Sequence, residues 1–194
     1  MNTFMSRKRG WFSFLAVAMG VTLALSSVTT SYAATPKEID TSVKVALERF
    51  YEQVKGGKEF AKNAKGMLIL PGVVKAGLGV AGEYGEGALR LGRKTVDYYN
   101  IVGASYGLTI GAQKKDIIIA FMTDEALKQF RGSGGWEAGV DGNVALYDIG
   151  AGTRLDNTTM KDPIVGFVFD VKGFMADASL KGSKFTKLDK SKDK

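Results

Sequence analysis

The spacing of apolar residues changes along the chain, from a helical period before residue 66 to a strand-like pattern after it. Thr35-Pro36-Lys37-Glu38 has the form of a capping box with proline at the first helical position. A helical stripe at intervals of three or four residues follows, and Gly56-Gly57 ends it. The stripe consists of Ile39, Val43, Leu47, Phe50 and Val54. A shorter helix is predicted over residues 58–65, so residues 35–65 form a helical start.

Residues 66–188 show short apolar runs, rich in β-branched and aromatic residues, which are typical of strands. Pro71-Gly72 and Lys114-Lys115 predict turns between strands. Asp141-Gly142 is flanked by two such runs and predicts a hairpin. A second hairpin is predicted about Lys172-Gly173, with residues 164–171 and 174–180 as its arms.

Strands that follow one another without long helices between them indicate an α+β fold. We expect a mainly antiparallel, glycine-rich, twisted sheet or barrel-like β core, with N-terminal helices and one inserted short helix. The inserted helix is predicted from Thr123 to about Phe130, because Thr123 can cap it and acidic residues follow in its first turn. Residues 34–188 suit a single domain, and residues 189–194 are predicted to be a disordered basic tail.

The first thirty-three residues have the form of a secretory signal peptide. Arg7-Lys8-Arg9 precedes an uncharged run from Trp11 to Leu25, and Ser31-Tyr32-Ala33 offers small residues for cleavage after Ala33. The apolar run is shorter than the roughly 20 residues that a membrane-spanning helix needs. We therefore expect an exported protein, periplasmic or secreted, with peripheral contact to a membrane as a further alternative.

Composition narrows the chemistry of the exported chain. Without residues 1–33, which carry three basic and no acidic residues, the formal net charge falls from +7 to +4. A charge of this size favours an anionic partner without requiring one. The sequence contains no histidine and no cysteine, which removes imidazole acid–base catalysis, cysteine nucleophiles and histidine-containing zinc sites. We expect a non-enzymatic protein without a metal or cofactor.

Gly77, Gly79 and Gly82 spell G-x-G-x-x-G, the dinucleotide-binding pattern, and Asp97 lies twenty residues after the first of them. That pattern works only where a helix begins at the third glycine. Here two further glycines, Gly85 and Gly87, would break such a helix. We expect strands instead, whose glycines leave space for a crossing helix, a tight barrel corner or a bound chain.

An ordered series of short motifs resembles the SYLF domain, a lipid-binding domain of endocytic adaptors in yeast and animals and of many exported bacterial proteins. The resemblance covers roughly residues 51–188. Its pieces are Gly66 to Pro71, Lys75-Ala76-Gly77, Gly79, Gly82, Gly85, Gly87, Ser105-Tyr106-Gly107, Gly111-Ala112-Gln113, residues 117–121, Trp136, Gly139, Gly173-Phe174 and residues 179–183. The resemblance implies a non-enzymatic domain that binds anionic phospholipid.

Family members that bind phosphoinositides are thought to use a basic amphipathic helix at the start of the domain. The corresponding helix here mixes basic and acidic residues, so its charge pattern favours packing against the core over lying on lipid.

The candidate lipid-binding residues are the basic positions around the glycine-rich strands, with one tryptophan. Arginine and lysine near an anionic membrane contribute about 1 kcal/mol each, and their alternative role is that of solvated surface charge. The tryptophan is interpreted either as a partly exposed membrane anchor or as ordinary packing. The candidates are Lys65, Lys75, Arg90, Arg93, Lys94 and Trp136.

Two roles stay open on the sequence alone. The first is an envelope protein that binds anionic phospholipid or a membrane surface. The second is a structural or protein-interaction module that docks another envelope protein through exposed sheet edges. We expect no nucleic-acid partner.

Overall fold

The computed structural model describes residues 34–149, 161–173 and 179–190, apart from the side chains of residues 107–109. Its helices are α1 Pro36–Gln53, α2 Gly57–Asn63 and α3 Asp124–Gly132. The predicted capping box is present, because the Thr35 hydroxyl accepts from the Glu38 amide at 3.4 Å and the Thr35 amide donates to the Glu38 carboxylate at 2.8 Å. Thr123 caps α3 through the Ala126 amide at 3.2 Å. The three predicted helices are confirmed.

The described strands form one mixed, mostly antiparallel sheet, which confirms the α+β prediction. Their order is β3-β6-β2-β5-β4, and β1 pairs with β2. Only β4 and β5 run parallel among the strand pairs of the described residues. The strands are β1 Gly66–Leu91, β2 Lys94–Phe121, β3 Trp136–Glu137, β4 Ala145–Asp148, β5 Ile164–Gly173 and β6 Lys184–Leu188.

The turns predicted at Pro71-Gly72 and Lys114-Lys115 are wrong. Both dipeptides lie inside long strands, because a register shift between Leu70 and Val73 accommodates the proline without ending β1. Gly72 takes a positive φ of 61° there, and its amide donates to the Asp116 carboxylate at 2.7 Å. A bulge and a turn share the same proline–glycine signal, so the sequence did not separate them.

The hairpin predicted at Asp141-Gly142 is also wrong. β3 pairs with β6 and β4 pairs with β5, so the two runs beside this dipeptide belong to different parts of the sheet. The Asp141 carboxylate instead accepts the Glu137 amide at 2.7 Å, a bond local to the connecting loop. Of the hairpin predicted about Lys172-Gly173, the first arm is confirmed as β5, whereas residues 174–178 of the second arm lie outside the described residues.

β1 curls until its end lies against its beginning, and glycines permit the contact. A Cβ at Gly87 would lie 2.0 Å from the Ile69 carbonyl oxygen, and one at Gly85 would lie 2.7 Å from Val73 Cγ2. Of the three alternatives given for these glycines, this contact corresponds to the tight corner. Gly82 lies within β1 with no helix after it, so the segment lacks the dinucleotide-binding context. The carboxylate of Asp97 is bound to Arg131 and Lys187.

Each face of the sheet is covered by a hydrophobic cluster. α1 packs on one face, where the Phe50 ring lies 5.1 Å from that of Phe167. α3 covers the other face, where Phe130 lies 4.7 Å from Phe121. The first helix is therefore a core-packing helix, as its mixed charge predicted. The predicted signal peptide, residues 1–33, lies outside the described residues, as do residues 191–194 of the predicted tail.

Candidate functional site

Four of the six predicted lipid-binding residues share one end of the molecule. Arg93 and Lys94 are exposed at the turn that joins β1 to β2, and the Arg90 guanidinium donates to the carbonyl of Arg93. Lys65 lies at the same end, since Gly66 packs against Leu91 just before the turn. The Lys65 ammonium lies 3.6 Å from the carboxylate of Asp124. The four cations form a basic end, where Lys65, Arg93 and Lys94 are exposed and Arg90 is partly buried.

The other two predicted residues lie elsewhere. Trp136 is 1% exposed and packs against Phe130 and Phe185, so it is a core residue and not a membrane anchor. Lys75 is 3% exposed and lines an interior cavity. The alternation of side chains along a strand does not show which of the two faces points outward. The side chain of Lys75 lies on the inner face, although it is charged.

An exposed apolar surface that was not predicted from the sequence lies on the long hairpin of β1 and β2. Leu78 is 78% exposed opposite Ile110, and Tyr106 is 85% exposed opposite Val80. Tyr84 and Val102 form a further exposed pair. We call the whole set the apolar ribbon face, and its members are Val74, Leu78, Val80, Tyr84, Val102, Tyr106 and Ile110.

The strand topology also leaves one edge of this segment open. β6 pairs with β2 as far as Val102, and β5 pairs with it only from Gln113 onward. Residues 103–112 of β2 therefore have β1 as their sole strand partner within the described residues. We call this two-stranded part, residues 76–83 with 103–112, the ribbon. Several exposed apolar side chains on paired strands form the kind of surface that often serves as a binding site.

Basic side chains border the apolar ribbon face. The exposed Lys114 pairs with Val74 in the strand register, and the exposed Lys184 pairs with Val102. Lys172 lies opposite Lys114 on β5, where its ammonium is 3.3 Å from the carboxylate of Asp170. These three lysines form a basic rim on two sides of the face.

One carboxylate next to the same face is held within the protein. The Glu86 carboxylate accepts from the Tyr84 hydroxyl at 2.7 Å and lies 3.3 Å from the ammonium of Lys190. Burial raises the pKa of Tyr84 to about 12, and the hydrogen bond to Glu86 and its charge act in the same direction. The Glu86 carboxylate is therefore engaged by groups of the protein itself.

An ion pair lies inside the curled hairpin, on the opposite side of the ribbon from the apolar face. The ammonium of Lys115, which is 0% exposed, lies 2.8 Å from the Glu83 carboxylate. Ser183 donates to the same carboxylate at 3.3 Å. A cavity of about 40 Å³ adjoins this pair and is also lined by Lys75 and Ser105.

A wider cleft of about 390 Å³ runs between α1 and the sheet. Its centre is Asp116, whose carboxylate accepts from Arg49 at 2.6 and 3.0 Å and from the Gly72 amide at 2.7 Å. Arg49 also lies 3.5 Å from Asp170. Because the Asp116 carboxylate is fully engaged in these bonds, we interpret it as a clamp that fixes α1 to the β1 bulge.

The described side chains and helices also bear on the type of site. Within residues 34–149, 161–173 and 179–190, no group of three acidic side chains is placed to hold a metal ion. Across the same residues, the helices are too short or too polar to cross a bilayer.

Comparison with protein families gives one match. Residues 102–194 match the family Ysc84, described as Las17-binding protein actin regulator. The match begins within β2 and includes Tyr106, Ile110, the lysine rim and β6. A comparison with curated proteins finds no match.

Proposed function

We propose that this chain is an exported, non-enzymatic protein that binds anionic phospholipid at the bacterial cell envelope, and the match of residues 102–194 to the Ysc84 (SYLF) family supports this proposal. The observation that carries the proposal is the apolar ribbon face with its rim of lysines. An apolar centre bordered by positive charge is the combination that a peripheral protein presents to an anionic bilayer.

The magnitudes support membrane attachment. Full burial of a leucine or isoleucine side chain contributes about 1.5–3 kcal/mol, and Leu78 and Ile110 are both mostly exposed in the free protein. A lysine near an anionic surface adds about 1 kcal/mol, and the rim offers Lys114, Lys172 and Lys184. Tyr106 combines an aromatic ring with a hydroxyl and so suits the depth of the headgroups.

Export is the second part of the proposal, and it rests on the signal-peptide pattern of residues 1–33. Cleavage after Ala33 would release the chain just before Thr35, the cap of α1. The protein would then be periplasmic or secreted and would meet the membrane peripherally.

The non-enzymatic role is supported by the chemistry present. The sequence has no histidine or cysteine, and the buried carboxylates of Glu83, Asp97 and Asp116 are each bound to a lysine or arginine. Such carboxylates neutralise a cation and do not act as free general bases.

Vesicle flotation tests the lipid-binding proposal. The wild-type protein is mixed at low salt with vesicles of phosphatidylcholine, alone or with phosphatidylglycerol. We expect flotation only with the anionic lipid, and less of it at high salt because screening weakens the lysine rim. Equal flotation with and without phosphatidylglycerol at low salt would refute the proposal.

A matched pair of variants then locates the contact. Leu78→Ser with Ile110→Ser removes two apolar side chains from the ribbon face and should reduce the bound fraction at least tenfold. Val140→Ser is the control, because Val140 is equally exposed but lies in the loop after β3. If the double variant and the Val140→Ser control both lose flotation, or if neither does, the apolar ribbon face is not the contact.

Another envelope protein is the alternative partner, and the ribbon edge is the observation that favours it. Residues 103–112 of β2 leave one side without a strand partner in the described part of the chain, and such an edge can accept an added strand. Two results together would favour this role. The wild-type protein would capture a specific envelope protein that the variant Leu78→Ser with Ile110→Ser does not capture, and it would not float with any vesicle.

A further inference from the structure

The wide cleft between α1 and the sheet lies where two strands depart from regular pairing. The register of β1 shifts around Gly72, and the register of β5 shifts around Asp170; both residues line the cleft. Gly72 has a φ of 61°, and Asp170 has a φ of 51°, which is the only positive φ outside glycine among the described residues. Bulges and left-handed residues with side chains are both frequent at functional sites, because they re-aim side chains there. The two irregularities make this cleft a candidate ligand site.

Two lysines lie side by side at this cleft. Lys114 on β2 and Lys172 on β5 are directly opposite each other in the antiparallel register, and both line the cleft. Like charges in opposite positions of two paired strands repel each other and are destabilising. The stem of Lys114 is packed over the β1 bulge, since a Cβ at Gly72 would lie 2.7 Å from Lys114 Cε. An anion bound by both ammonium groups would relieve their repulsion.

The ionised groups that line the cleft sum to one positive charge. Its cations are Arg49, Lys114 and Lys172, and its carboxylates are those of Asp116 and Asp170. Asp116 is bound to Arg49, and the Asp170 carboxylate lies 3.5 Å from the Arg49 guanidinium and 3.3 Å from the Lys172 ammonium. In the described part of the chain, neither carboxylate forms an ion pair with Lys114. This balance suits a ligand with a single negative charge better than one with several.

The cleft also offers groups that can bind a hydroxyl. Arg49 and Lys172 both approach the Oδ2 atom of Asp170, so its Oδ1 atom can accept a hydrogen bond from a ligand. The wall formed by α1 adds the hydroxyls of Thr41 and Ser42, which are both exposed residues. The volume of about 390 Å³ falls within the range of about 300–1,000 Å³ that is usual for small-molecule sites. The cleft can therefore hold more than a bare phosphate.

From this arrangement we infer that the cleft binds a phosphodiester whose alcohol groups carry hydroxyls, as in the glycerophosphoglycerol headgroup of phosphatidylglycerol. Lys114 and Lys172 bind the phosphate oxygens, since ammonium groups form charge-assisted hydrogen bonds with phosphate. Asp170 accepts a hydrogen bond from a headgroup hydroxyl. A phosphocholine headgroup has no hydroxyl for Asp170, and its own positive charge is repelled by the two lysines.

The phosphodiester can come from a lipid headgroup or from a soluble ester. The lipid source rests on the proposed function, because Lys114 belongs to the lysine rim and pairs with Val74 of the apolar ribbon face. A protein attached to a bilayer through that face would hold the cleft beside the headgroups. The soluble source needs no membrane, so the two sources can be tested apart.

Titration with glycerophosphoglycerol, the deacylated headgroup, tests the site without a membrane. Amide resonances of the purified protein are followed at constant ionic strength, and dimethyl phosphate serves as a diester of equal charge without hydroxyls. We expect saturable shifts centred on residues 72, 114 and 170–172, with weaker binding of dimethyl phosphate. Lys114→Gln should weaken binding about tenfold or more, since a hydrogen bond between charged groups is lost. Lys58→Gln, which changes an exposed lysine on α2, is the control and should bind as the wild type does.

Asp170→Asn gives a change of opposite sign, which a loss of structure would not produce. Asparagine also adopts the left-handed conformation, so the β5 bulge should persist while one negative charge leaves the cleft. The affinity for dimethyl phosphate should rise, and the preference for glycerophosphoglycerol should shrink. Urea unfolding of each variant shows that the fold is intact. Shifts that do not saturate, equal affinity of the wild type for both ligands, or unchanged binding in Lys114→Gln would overturn the inference.

Vesicle flotation separates the two sources of the ligand. Lys114→Gln and Lys184→Gln each remove one lysine from the rim, but Lys184 does not line the cleft. If the ligand is a lipid headgroup, Lys114→Gln should lower flotation on phosphatidylglycerol several-fold more than Lys184→Gln does. The difference should be smaller on phosphatidylserine, whose headgroup has no hydroxyl. Equal effects of the two variants on both lipids, together with binding of the soluble headgroup, assign the site to a soluble ester.

The cleft and the proposed function can fail separately. Binding of glycerophosphoglycerol without flotation on any vesicle would sustain the cleft as a site and refute the lipid-binding function. Flotation on phosphatidylglycerol without saturable binding of the soluble headgroup, and with equal effects of Lys114→Gln and Lys184→Gln, would do the reverse.

Discussion

The contact of β1 with itself makes a sharp prediction for Gly87→Ala. The new Cβ would lie 2.0 Å from the Ile69 carbonyl oxygen and 2.8 Å from both Ile69 C and Leu70 Cα. All three are backbone atoms, so no side chain can rotate to make room, and two layers of the sheet must separate. Overpacking of a core typically costs 1–3 kcal/mol. We expect about 3 kcal/mol here, a large part of the roughly 5–15 kcal/mol that stabilises a typical domain.

Gly82→Ala is the matched control, since Gly82 lies five residues earlier in the same strand. A Cβ at this position meets nothing within 4 Å, and the residue has no left-handed φ. Alanine restricts the unfolded chain, so we expect unchanged stability or a gain of about 0.4–1 kcal/mol.

Urea unfolding followed by circular dichroism measures both variants. The midpoint should fall strongly for Gly87→Ala and stay or rise slightly for Gly82→Ala, with equal slopes. Similar midpoints for the two variants would refute the idea that glycine is needed where β1 meets itself.

Two further predictions concern buried polar groups. Glu83→Gln should lower the free energy of unfolding in urea by about 3–5 kcal/mol, because it leaves the ammonium of Lys115 buried without a carboxylate. The double variant Glu83→Leu with Lys115→Met should restore most of that loss. A loss below about 1 kcal/mol for Glu83→Gln would contradict this reasoning. Burial raises the pKa of Tyr99 to about 12, and the charge of Asp97 acts in the same direction. In the unfolded chain the same hydroxyl ionises at about pH 10. The free energy of unfolding should therefore fall as the pH rises from about 10 to 12. Tyr99→Phe should flatten that part of the stability profile, and an unchanged profile would contradict the cause.

The helices and the fold class could be predicted because their signals are local. The Thr35 cap and the apolar stripe specify a helix through residues that are close in sequence, and both are present in α1. The number of strands could not be predicted in this way. Whether Pro71-Gly72 ends a strand or bulges within it depends on Asp116, which lies on another strand and accepts the glycine amide.

The candidate site was only partly predictable for a similar reason. Basic residues around the glycine-rich strands were found, but burial depends on which face of the hairpin turns inward. The charged side chain of Lys75 is buried and the apolar side chain of Leu78 is exposed, the opposite of what their polarity predicts. The signal for an exposed face was the pairing of apolar residues in a two-stranded segment, which is visible only once the register is known.

The central position of β2 limits where the chain can change in length. β1, β5 and β6 all take their register from this strand, so one residue inserted near Ile118 would turn alternate side chains over against two neighbouring strands at once. Between Tyr106 and Ile110 the pairing is already irregular, since four steps along β2 match two along β1. Insertions and deletions among relatives should therefore collect at the ribbon, where the contact surface can be remodelled while the core keeps its register.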